Sequence, residues 1–128
     1  MTEEQERFSK DKFPNLLGIN LLELREGHAR LEMNVEEKHL NFLGIAHGGA
    51  IFSLADTALG LASNSYGKDA VALTVNINFT GAAQVSDKLR AEVEEENRTK
   101  RTVNYRVRIL TGDDKLVATA MGISYFRS

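Results

Sequence analysis

The chain has 128 residues, a length that suits one domain spanning 1–128 and is short for two separate cores. With 42% hydrophobic residues, 27% charged residues and one proline, it has the composition of a compact folding protein, not of a disordered or fibrous one. A net charge of -2 argues against a general nucleic-acid binder, and the lack of cysteine excludes disulfides, thiol catalysis and Cys-ligated metal sites.

The N-terminal stretch MTEEQERFSKDKFPN is charged throughout and carries no apolar run of the signal-peptide kind. No later segment reaches the ~18 uninterrupted apolar residues of a membrane span, so a cytoplasmic protein is expected. Residues 3–13 predict a short surface helix, stopped by Pro14, with Phe8 and Phe13 as its large apolar side chains. It would serve as a lid or an edge cover. Residues 16–25 and 28–35 predict two strands joined at Gly27 as a hairpin. The stretch 40–64, LNFLGIAHGGAIFSLADTALGLASN, reads as a long helix opening on His47, Gly48 and Gly49 and carrying Asp56 two turns inside. Residues 70–80 alternate strictly, with Val71, Leu73, Val75, Ile77 and Phe79 on one face and Thr74 among the polar set on the other. The same period recurs at 88–95 and 102–110, and 115–126 closes the set. The turn TGDDK at 111–115 makes the last two strands antiparallel neighbours.

Without βαβ alternation there is no call for a parallel sheet, so one antiparallel sheet must cover one helix. On a helical wheel, Ala50, Ile51, Phe52, Leu54, Ala55, Ala58, Leu59, Leu61 and Ala62 fill an arc of about 200° at the usual turn per residue. The remaining stripe carries Ser53, Asp56, Thr57, Gly60, Ser63 and Asn64, small or polar groups without the long charged side chains of a solvated face. This implies an α+β fold in which a curved antiparallel sheet wraps a central helix, the hot-dog architecture.

The stretch NFLGIAHGGAIFSLADTALGLASN resembles the signature of hot-dog thioesterases of the phenylacetic-acid-degradation (PaaI-like) type. The resemblance rests on Asn41, Gly44, His47-Gly48-Gly49 and Asp56 at these spacings, between the hairpin and the remaining strands, and covers nearly the whole chain. It implies hydrolysis of an acyl-coenzyme A thioester, with no metal or redox cofactor. By the family pattern Asp56 is the nucleophile or the general base, and the Gly48 N–H polarises the thioester carbonyl. Asn41 holds the attacking water or the carboxylate, His47 orients the thioester or assists the leaving sulfur, and Thr74 positions water. The resemblance also implies sites between subunits, commonly in a tetramer built from two dimers.

Elementary chemistry supports the same residue types. Attack on a thioester builds negative charge on the carbonyl oxygen, and a helix N-terminus offers free N–H donors and a partial positive charge to meet it. Water needs a base, or must give way to a covalent intermediate, which is what a carboxylate supplies. Gly48 and Asp56 lie eight residues apart, about 12 Å along the helix axis and roughly 80° around it. A reacting carbonyl has to sit about 3 Å from both groups. One helix cannot do this, so the site pairs Gly48 of one chain with Asp56 of another, in a two-fold dimer. The strand at 70–80 is the natural edge to pair across that axis.

Each residue also has a plainer reading: Asp56 as a structural carboxylate, His47 as a helix-start residue bonding its own turn, Asn41 as a turn residue, Thr74 as one member of a polar strand face. His28 and His39 lie outside metal-ligand spacing and are expected at the surface. The run NRTKR at 97–101 is either a solvated turn or, through Arg98, Lys100 and Arg101, a place for coenzyme A phosphates. Rival functions are a hot-dog hydratase or dehydratase and a non-catalytic acyl-CoA-binding module. Leu59, Leu61 and the N-terminal segment would shape the acyl pocket, for an aryl or a medium-chain group.

Overall fold

The computed structural model describes residues 2–127. In chain order the elements are α1 (Glu3–Ser9), α2 (Lys12–Leu17), β1 (Ile19–Arg25), β2 (His28–Asn34), α3 (Gly48–Ser63), β3 (Ala70–Phe79), β4 (Lys88–Arg98), β5 (Thr102–Leu110) and β6 (Leu116–Phe126), with a 3-10 turn at Glu37–His39. The six strands form one antiparallel sheet in the order β1-β2-β4-β5-β6-β3, and α3 packs against every one of them. The fold is the hot-dog expected: one long helix held in one curved sheet.

The core is the layer between α3 and the concave face of the sheet. Ala29, Leu31 and Met33 from β2, Leu89, Ala91 and Val93 from β4, and Val103, Tyr105, Val107 and Ile109 from β5 alternate inward and are fully buried. From the helix, Ala50, Leu54, Ala55, Ala58, Leu59 and Ala62 face them. The alanines are small enough to let the helix sit close on the sheet, and at β6 the Leu59 side chain packs onto Gly122. A Cβ on Gly122 would overlap Leu59 Cδ1. Behind the end of the helix runs a buried polar chain. Ser124 bonds Ser63 at 2.7 Å, Tyr105 Oη donates to Tyr66 Oη at 2.9 Å, and Tyr66 Oη donates to Glu95 at 2.6 Å. Burial, followed by the bond to Glu95, pushes the Tyr66 phenol well above its ordinary pKa, so it stays a donor.

Several sequence expectations are corrected. The N-terminal segment forms two helices, not one. Pro14 does not stop the first; it is buried in the first turn of α2, where its missing N–H has no intrahelical partner to lose. Residues 16 and 17, expected in a strand, belong to α2, which ends at Gly18 with φ +79. The long helix starts only at Gly48, because 40–47 is a turn closed by a bridge between Leu40 and Ala46. Along β3 the alternation is broken by a bulge between Ala72 and Thr74. Val75, Ile77 and Phe79 therefore share the face of Gly122, Ala120 and Ala118, toward the helix, whereas Val71 pairs with Tyr125 and faces outward. Ser63 leaves the polar stripe and is buried against β6. His39 is 2% exposed and bridges Glu36 N–H and the Leu17 carbonyl, and His28 is buried between Glu23 and Glu94, so neither is a surface residue.

The tight seat of Gly122 generates a test. Gly122→Ala forces Leu59 off its rotamer and is expected to cost about 1–3 kcal/mol of stability by urea denaturation. In combination with Leu59→Val, which vacates the clashing methyl volume, the loss should be smaller than the sum of the two single losses.

Candidate active site

Two features of α3 stand out. At its N-terminus, His47 is the cap: its Nδ1 accepts the Gly49 N–H at 2.8 Å. An Nδ1 that accepts leaves the ring proton on Nε2, the donor atom of this imidazole. Ala50 and Ile51 N–H groups go to the His47 carbonyl. The Gly48 N–H donates to no group among the described residues, so it remains free at the positive end of the helix.

The two glycines have steric reasons. A Cβ at Gly48 would lie 3.2 Å from the ring of Phe79, and one at Gly49 would lie 3.0 Å from His47 Nδ1, disturbing the cap itself. Phe79, half exposed beside Gly48, was not singled out as part of this end of the helix, since its place depends on the register of β3 with β6.

Two turns along, Asp56 has no hydrogen-bond or ion-pair partner among the described residues, and its carboxyl pKa is raised by desolvation alone. It borders a cleft of about 540 Å³ between α3 and the N-terminal helices. Thr57, Gly60, Leu61 and Asn64 line the α3 wall, and Phe8, Phe13 and Pro14 line the other. The N-terminal segment is thus a wall of the cleft beside the candidate carboxylate.

Other expected site residues are placed differently. Asn41 Oδ1 is engaged in its own turn, accepting the Leu43 N–H at 2.8 Å and the Ile45 N–H at 3.4 Å, so only its amide Nδ2 is left to face a ligand. Thr74 pairs with Ile123 on the outer face of the sheet and is exposed; Ala72, opposite Ser124, is the helix-facing residue of that stretch. The bulge does not bring Thr74 toward Asp56 of the same chain. Arg98 is not a free phosphate ligand: it bonds Glu26 at 2.9 Å, lies 3.6 Å from Glu95 and stacks 4.6 Å over Tyr66. Arg101 donates to Tyr125 Oη at 3.1 Å, and Lys100 is exposed on the same hairpin.

Comparison with known proteins agrees with this architecture. The family model of the Thioesterase superfamily matches residues 43–118, a span that takes in α3 and most of the sheet. The acyl-coenzyme A thioesterase PaaI of Escherichia coli is 36% identical over 118 residues, covering 92% of this chain and 84% of its own. Its structure superposes with a TM-score of 0.93 at 34% identity, over 96% of this chain and 89% of that one. A hypothetical thioesterase protein of Streptococcus pneumoniae, solved with coenzyme A, superposes with a TM-score of 0.82 at 29% identity, over 86% of this chain and 89% of its own. With its helix, sheet order and HGG-to-Asp spacing, this chain belongs to the Thioesterase superfamily as a PaaI-like hot-dog thioester hydrolase.

Proposed function

We propose that the chain hydrolyses acyl-coenzyme A thioesters to the free acid and coenzyme A, at a site made by Gly48 of one copy and Asp56 of another. One observation carries this: α3 holds an unused N–H at its start and an unpartnered carboxylate two turns later. Rigid helical rise keeps the two about 12 Å apart, too far to act on one carbon from a single chain. The names of the Escherichia coli and Streptococcus pneumoniae relatives support the thioester and coenzyme A parts of this reading.

In the proposed reaction the thioester oxygen takes a hydrogen bond from the Gly48 N–H, which stabilises the charge that develops on it. Asp56 accepts a proton from water as the water oxygen bonds to the carbonyl carbon; alternatively its carboxylate attacks first and water opens the resulting anhydride. Collapse breaks the carbon–sulfur bond. The Nε2–H of His47 donates a hydrogen bond to the thioester sulfur; on the water route the proton held by Asp56 goes to the departing thiolate, and on the anhydride route the thiolate leaves as the anhydride forms and takes its proton from the water that opens it. A raised carboxyl pKa makes Asp56 a stronger base than an ordinary aspartate. The acyl group, aryl or medium-chain, fits the cleft beside Asp56, and Lys100 and Arg101 are the cations left to meet the phosphates of coenzyme A. Pairing of β3 edges forms the dimer, a tetramer follows the family pattern, and the protein works in the cytoplasm.

Gly48→Pro is a selective test. His47 has φ -65 and ψ 136, a conformation compatible with a following proline, and proline at the first helical position removes the N–H while adding ring carbons against Phe79; Gly48→Ala, which adds the Cβ but keeps the N–H, is the steric control and should lose much less activity. Thiol release by the proline variant should fall about 10²–10³-fold with the helix retained by circular dichroism. Asp56→Ala should lose about 10²–10⁴-fold. When the two inactive variants are unfolded together and refolded, random mixed dimers regain one complete site in half the dimers, so about a quarter of wild-type activity should return. No recovery would refute the shared site.

The raised pKa of Asp56 also has a signed consequence. Asp56 is exposed in the single chain yet partly desolvated by the groups around it, which penalises the ionised form, so the folded chain loses some stability as pH rises through the folded pKa, and the penalty is absent below the ordinary value of 3.8. Asp56→Asn should therefore melt higher than wild type at pH 7, with a gain that shrinks toward zero as pH falls below that ordinary value. The wild-type rate should fall on acidification with a midpoint above the ordinary aspartate value.

A further inference from the structure

Among the described residues the most exposed large apolar side chain is Phe42, 95% accessible, followed directly in sequence by Leu43 at 68%. They sit at the tip of a rigid turn. Its base is closed by the Leu40–Ala46 bridge and the Asn41 N–H bond to Ile45 at 2.8 Å, and Asn41 Oδ1 accepts the Leu43 N–H. A turn closed by its own hydrogen bonds that holds a phenyl ring in water is unexplained by the isolated chain.

Geometry supplies an occupant for its surroundings, given the two-chain site proposed above. A two-fold that sets Gly48 of one chain opposite Asp56 of its partner runs the two helices antiparallel. Moving upstream from Gly48 on one chain is then moving downstream from Asp56 on the other. The turn at 41–46 precedes Gly48, so it falls over the partner's Gly60–Asn64 stretch, which is the helical wall of the 540 Å³ cleft. Phe8, Phe13, Pro14 and Leu61 give that cleft its apolar lining, beside Glu4, Arg7, Lys10 and Asp11 from the N-terminal segment, and Phe13 is 58% exposed. In the single chain the side of the cleft away from the protein is open.

We propose that Phe42 of one subunit is the outer wall of its partner's acyl cleft, so that an apolar acyl group is held between Leu61 and Phe13 of one chain and the partner's Phe42. Phe42 is a specificity-determining residue that acts only across the dimer. Small acyl groups such as acetyl do not reach the ring, whereas aryl or medium-chain groups pack on it.

Because the chain has no cysteine, the placement can be tested by mixed disulfides. Phe42→Cys protein is refolded with Leu61→Cys or with Phe13→Cys protein carrying a longer tag, and oxidised. Leu22→Cys, on the strand at the opposite edge of the sheet, is the collision control. A covalent mixed dimer with Leu61→Cys or Phe13→Cys, in excess of the control, is expected; no excess at either position overturns the placement. Phe42→Ala removes no core contact and should lower the kcat/KM ratio of the largest over the smallest acyl-CoA accepted by about tenfold. An unchanged ratio overturns the specificity role. Wild-type thiol release, with Asp56→Ala alongside, is read separately. Cross-linking without hydrolysis would leave the shared cleft standing and remove the thioesterase assignment of this site, whereas hydrolysis without cross-linking would do the reverse.

Discussion

A helix whose apolar arc spans more than half its circumference has to be covered by something curved, and that requirement organises this protein. A flat layer would reach only the middle of the arc. Six strands coiled around α3 reach its flanks as well, which is why the helix touches all six, why much of its buried face is alanine, and why Gly122 stands where Leu59 meets β6. Covering one side so completely leaves the other side narrow. On that stripe Ser53, Thr57 and Gly60 are too small to reach across to Asp56, and Ser53 and Thr57 spend their hydroxyls on carbonyls of the preceding turn. Asp56 is left without a partner by the same packing that stabilises the core, and desolvation then raises its pKa unopposed.

The beginning of the helix shows two demands met by the same residues. The His47 cap satisfies the Gly49 N–H, and the ring needs the space that a side chain at position 49 would take. Phe79 occupies the space a side chain at position 48 would take. Local packing alone therefore accounts for both glycines, and a free Gly48 N–H is its by-product. Catalysis by that N–H requires no further distortion of the backbone. The same bond that caps the helix also sets the His47 tautomer, so structural and chemical roles for this histidine are complementary.

Much of the fold was legible because burial imposes a period. Strands β4, β5 and β6 and the arc of α3 follow from alternation and the helical repeat, and the PaaI-like pattern from Asn41 to Asp56 pointed to the family. What was missed lacked a periodic signal or depended on distant partners. The bulge in β3 is hidden because Val71 before it, Leu73 within it and Val75 after it are all apolar, so alternation appears unbroken while the chain changes face. Pro14 was read as a stop although a proline is harmless in a first turn. Arg98 resembled a free cation because Glu26, its closest counter-ion, lies 72 residues away in sequence. Asn41 was assigned to the ligand by resemblance, whereas its Oδ1 is spent on backbone N–H groups two and four residues on. Side-chain polarity can be read from a sequence; the partner that consumes it cannot.

Three surfaces of the isolated chain remain unsatisfied, and their arrangement constrains how copies can meet. β3 is an edge strand with one side of its backbone unpaired, and Val71, Leu73 and Phe79 along it are exposed. The α3 stripe carries an unpartnered carboxylate, and the turn before α3 carries Phe42. An association through the outer face of the sheet would leave all three in water. An axis through the β3 edge instead extends the sheet, sets the two stripes side by side in opposite directions and brings each turn over the other chain's cleft. The proposed dimer is thus the arrangement in which edge, stripe and turn are covered by one symmetry operation, with no additional contact required for the site.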